Sequence, residues 1–120
     1  MLLFIEQDKV WEKIIREYFE KLEEPNSIIP HWSAATAGAG YEPPQVVIID
    51  IAPFAGHSEI PGQIRRAFFS PSLPIVVYTS LTHPALVVNC LNNGYNHFID
   101  KKFARPEILR EEISKFILQN

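Results

Sequence analysis

A chain of 120 residues with 47% hydrophobic and 21% charged residues has the balance of a single globular domain, which excludes disordered and fibrous classes. The formal charge of −3, with Lys and Arg scattered along the chain, offers no basic stripe for nucleic acid. No apolar run approaches the roughly 20 residues of a bilayer span, no basic cleavable leader opens the chain, and the single cysteine, Cys90, suits a reducing compartment, so a cytoplasmic protein away from membranes is expected.

Short apolar runs alternate with helical periods. Leu2 to Ile5 is a strand that stops at Glu6, Gln7 and Asp8. Val10, Trp11, Ile14, Ile15, Tyr18, Phe19 and Leu22 then recur every three or four residues, the pattern of an amphipathic helix. Asp8 is its natural N-cap, and Glu24-Pro25-Asn26 ends it. Ser27 to Trp32 forms a second strand, and Pro30 places it at an edge because proline donates nothing to a ladder. Ser33 to Tyr41, rich in alanine and glycine, gives a short helix.

Gln45 to Ile51 is the most strand-like segment. Its Val46, Val47, Ile48 and Ile49 are apolar on both faces, as a central parallel strand requires. A Pro53 to Gly56 loop leads to a helix with Pro61 as its first residue, running to about Phe69. Ile75 to Thr79 is the fourth strand. Thr82 caps a helix that begins at Pro84 and stops before Gly94. Asn96 to Asp100 is the fifth strand, and Pro106 starts a last helix with a buried stripe of Ile108, Leu109, Ile113, Phe116 and Ile117.

Five strands alternating with five helices give a parallel sheet covered on both faces by right-handed crossovers. The expectation is a flavodoxin-like three-layer α/β/α sandwich with strand order 2-1-3-4-5, formed by residues 1–120 as one domain. In such folds ligands bind beyond the carboxyl ends of the strands, where the winding reverses. Glu6 and Gln7 follow the first strand, Asp50 the third, Thr79 ends the fourth, and Lys101 follows the fifth. Two facing carboxylates, Glu6 and Asp50, repel unless a cation relieves them, and a hard divalent cation with oxygen ligands answers that need. An ammonium and a hydroxyl beside them make a phosphoryl site, and an aspartate can itself accept phosphate as an acyl phosphate.

At this point the chain resembles the receiver domain of two-component response regulators. Four segments carry the resemblance: residues 2–8 with their acidic cluster, 44–51 ending at Asp50, 73–80 with Thr79, and 94–103 with Lys101. The resemblance implies a phosphoacceptor at Asp50, an essential lysine at Lys101, a switch hydroxyl at Thr79 and a switch aromatic at Phe98. It also implies Mg²⁺ held by Glu6, Gln7, Asp50 and the backbone of Ala52. The implied partners are a histidine kinase or phosphotransfer protein upstream, within a phosphorelay, and a protein target docking on the fourth helix, fifth strand and fifth helix; a homodimer is compatible with it. Such a domain is a signalling phosphoacceptor, not an enzyme that turns over a substrate.

Two departures stand out. Gln7 occupies the place of the family's second acidic residue, which removes a charge beside the metal and weakens its binding. Lys102 replaces the proline that usually follows the lysine, often across a cis bond, so either the loop is trans and Lys101 is aimed differently, or the strained bond is kept. An alternative function follows from them: a phosphorylation-independent module of receiver shape. A flavin protein of the same architecture is disfavoured, because Glu6 and Asp8 stand where a phosphate loop would be. His31, His57, His83 and His97 show no ligand spacing, Cys90 suits a core, and Trp11 and Trp32 suit packing.

Overall fold

In a computed structural model, the described residues are 1–36, 43–54 and 56–117. They form five strands, β1 (Leu2–Ile5), β2 (Asn26–Ile29), β3 (Val46–Ile49), β4 (Ile75–Thr79) and β5 (His97–Asp100). Five α-helices join them: α1 (Lys9–Lys21), α2 (Trp32–Thr36), α3 (Ile60–Ala67), α4 (Pro84–Asn92) and α5 (Pro106–Ile117). All neighbouring strands pair in parallel, in the order β2-β1-β3-β4-β5. The Cα radius of gyration is 13.2 Å, close to the value expected of compact packing at this length.

The period of two along each strand divides the apolar residues between two cores. Leu3, Ile5, Val47, Ile49, Ile75 and Val77 face Ile60, Ile64 and Phe68 of the α3 region and Cys90 of α4. Leu2, Phe4, Val46, Ile48, Val76 and Tyr78 face Ile15 and Phe19 of α1 and Leu109 and Ile113 of α5. Cys90 is fully buried, as a small core residue.

Several elements differ in detail from the sequence expectation. β2 ends at Ile29, since Pro30 cannot continue the ladder, and Trp32 opens α2 instead of closing the strand. Residues 37–41 of the expected second helix lie outside the described residues. α3 begins at Ile60 after a 3₁₀ turn (His57–Glu59), which puts Pro61 second, and Phe69 lies beyond the helix with a positive φ of 52°. The N-cap of α4 is His83, not Thr82. Pro84 holds the residue before it in extended backbone, and the Nδ1 of His83 accepts from Ala85 N–H at 3.1 Å. The stripes of α1 and α5 are narrower than their apolar periodicity. Val10, Ile14, Leu22 and Ile108 are exposed, because a helix on a sheet buries only the residues facing it.

Candidate functional site

Every polar group expected at the carboxyl edge is placed there by a strand that stops. Asp8 ends the turn after β1 as the N-cap of α1, its carboxylate accepting from Val10 and Trp11 N–H. That turn leaves Glu6 pointing inward, with one carboxylate oxygen accepting from Asp8 N–H at 3.2 Å. Asp50 follows β3, with its backbone N–H bonded to Ile5 C=O. Lys101 follows β5, with its N–H bonded to Thr79 C=O at 2.9 Å.

These side chains converge on Asp50. Thr79 donates its hydroxyl to Asp50 Oδ1 at 2.7 Å, and Ala52 N–H donates to the same oxygen at 2.9 Å. The Lys101 ammonium donates to Asp50 Oδ2 at 2.8 Å and also to Glu6 Oε1. Thr79, Lys101 and Glu6 are buried, while the Asp50 side chain keeps 13% of its surface open to solvent. Burial pushes the Glu6 carboxyl above its ordinary range, against the opposing pull of the Lys101 hydrogen bond and charge and of Asp8 N–H. One ammonium thus bridges two carboxylates and leaves a formal charge of about −1 between them.

The loop beyond Lys101 settles the question raised by Lys102. No described peptide bond is cis, so the loop is trans, and Lys101 still reaches Asp50. Two bonds set its path: Asp100 accepts Lys102 N–H at 2.9 Å, and Tyr78 O–H donates to Ala104 C=O at 2.5 Å. Gln7 is exposed, and Phe98 is half-buried against the α3/α4 core. Two aromatic residues that were not expected at the site, Trp11 and Tyr78, are beside it. The Lys101 nitrogen sits 4.8 Å from the Trp11 ring centroid and 5.5 Å from that of Tyr78. The signal for Trp11 was its place in the first turn of the helix after the acidic cluster, where side chains lean back toward the strand end.

A divalent cation is implied by the resemblance, and the donors present suit a hard ion: the Glu6 and Asp50 carboxylates, the Gln7 amide oxygen and the Ala52 carbonyl. They supply two negative charges, both already shared with Lys101, so a cation would compete with the ammonium. Among the described residues no three His, Cys, Asp or Glu side chains cluster as a metal site. No described helix is long and apolar enough to cross a membrane.

No protein-family model matches the chain, and no curated protein matches it in sequence. Solved structures do. The BeF3-activated N-terminal receiver domain of Klebsiella pneumoniae RstA is 24% identical with a TM-score of 0.82, covering 98% of both chains. A response regulator from Thermotoga maritima is 19% identical with a TM-score of 0.80, covering 97% of this chain and 95% of that one. The receiver domain of a sensor histidine kinase from Pseudomonas aeruginosa PAO1, described with magnesium coordinated in its active-site cleft, is 21% identical with a TM-score of 0.79 over 97% and 95%. The fold is therefore that of response-regulator receiver domains.

Proposed function

We propose that the chain is a receiver domain that takes a phosphoryl group onto Asp50 from the phosphohistidine of a histidine kinase or phosphotransfer protein. The observation that carries this reading is the convergence of Thr79, Lys101 and Ala52 N–H on the Asp50 carboxylate, which keeps a path to solvent. An Asp50 oxygen attacks phosphorus; the O–P bond forms, the N–P bond breaks, and the imidazole leaves with that electron pair. Lys101 and Thr79 already donate to the oxygens that become the acyl phosphate, and both can turn to the phosphoryl oxygens. Mg²⁺, held by Glu6, Gln7, Asp50 and Ala52, would supply positive charge to those oxygens.

Reorientation of Thr79 biases Phe98 and with it the face formed by α4, β5 and α5, where a protein target docks; a homodimer is an alternative occupant of that face. The domain acts as one unit in the cytoplasm, as a switch that at most turns over its own phosphate. The second reading, a phosphorylation-independent interaction module, draws on Gln7 and on the prior engagement of Lys101 with both carboxylates.

Incubation with acetyl phosphate and Mg²⁺ followed by intact mass spectrometry separates the two. A single phosphoryl adduct, absent in Asp50→Asn, is expected; an unmodified wild-type chain would establish the second reading instead.

A further inference from the structure

We propose that Trp11 and Tyr78 are positioning residues for the phosphoryl site: together they form an aromatic corner that seats the Lys101 ammonium and aims it at Asp50. The inference rests on the receiver reading for its consequence, and on geometry for its substance. A lysine ammonium has three donors on a flexible four-carbon stem, so two carboxylate bonds alone leave its position underdetermined. Lys101 uses two donors on Glu6 and Asp50. The rest of its charge lies 4.8 Å from the Trp11 centroid and 5.5 Å from that of Tyr78, within the range where a ring face attracts a cation.

The two rings stand at 85° with centroids 5.7 Å apart, so each fixes the other edge to face. Neither is free to drift. Tyr78 is 1% exposed and is tethered through its hydroxyl to Ala104 C=O, in the same loop that leaves Lys101. Trp11 belongs to the first turn of α1, anchored by the Asp8 cap that also turns Glu6 inward. Burial of the lysine makes this attraction stronger than at an exposed site, because no water competes for the charge. With Lys102 after the lysine and a trans backbone there, the corner supplies part of the aim.

The test compares Trp11→Phe with Trp11→Met in the full chain, two residues of similar bulk of which only the first has a π face. Three readouts are taken: labelling rate with acetyl phosphate and Mg²⁺, stability to urea, and the NMR shifts of the Lys101 ε-methylene protons. Those protons are displaced upfield when they lie over a ring. Phe is expected to keep much of the displacement and slow labelling at most about twofold. Met is expected to lose the Trp11 contribution and slow labelling roughly five- to tenfold, at equal stability. Equal labelling rates and equal shifts in the two variants would overturn the inference while leaving the receiver reading intact. A wild-type chain that takes no phosphate overturns the receiver reading instead, and the lysine shifts then decide: retention of the full displacement in Trp11→Met removes the aromatic seat as well.

Discussion

Tyr78 and Tyr95 each bury a phenol whose hydroxyl donates to a backbone carbonyl, Ala104 at 2.5 Å and His57 at 2.6 Å. Burial raises both phenols well above the ordinary tyrosine value. The folded chain thus binds more protons than the unfolded chain once pH exceeds about 10, and stability falls as pH rises through that window. The two buried phenolates are expected to appear, in absorbance near the tyrosinate band, together with loss of the circular dichroism signal; appearance well before unfolding would show that the hydroxyls are not held. At the same scale, Gln7→Asp would add a negative charge for a bound dication to meet; a −1/+2 pair at a separation of about 4 Å is worth on the order of 2–8 kcal/mol before desolvation, at an effective dielectric of 80–20. Tighter Mg²⁺ binding in calorimetry, by about fivefold or more, is expected. An unchanged affinity would place Gln7 outside the ion's reach.

At the scale of elements, the sequence pattern located the five strands and five α-helices of the described residues to within a few residues, missing the 3₁₀ turn at His57–Glu59, but it overstated how much of the helices is buried. α5 carries both Ile108 and Leu109 in its apolar period, yet only Leu109 faces the sheet. Leu109→Ala is therefore expected to cost about 2–5 kcal/mol in urea unfolding, and Ile108→Ala under about 0.5 kcal/mol. A comparable loss in both would mean that Ile108 is covered in solution. Element ends were legible where a residue type enforces them, Asp8 as a cap and Pro106 as a helix start, whereas the strand expected to run through Pro30 to Trp32 stops at Ile29. The cap of α4 was misplaced by one residue because the restraint of Pro84 on its neighbour outweighs the better capping chemistry of Thr82.

For the whole molecule, the site is a knot between strands far apart in the chain: Lys101 ties β5 to the ends of β1 and β3, and Thr79 ties β4 to β3. Removing the ammonium leaves two carboxylates facing each other in a largely buried place. Lys101→Met is expected to destabilise the fold by about 3–5 kcal/mol, and adding Glu6→Gln, which removes one of the two charges, to recover part of it. Chemical denaturation of the two variants checks this, and an additive second loss would show that Glu6 is stabilised by something other than the lysine.

The sequence by itself determined the alternation of strands and helices and the identity of Glu6, Asp50, Thr79 and Lys101, because period and residue type at a strand end are local properties. Only the tertiary structure decided that one ammonium serves both carboxylates, that the loop after Lys101 is trans, and that Trp11 and Tyr78 flank the lysine. Those facts depend on side chains brought together from separate strands and helices, and on a balance of burial and charge that arises once they share one low-dielectric space.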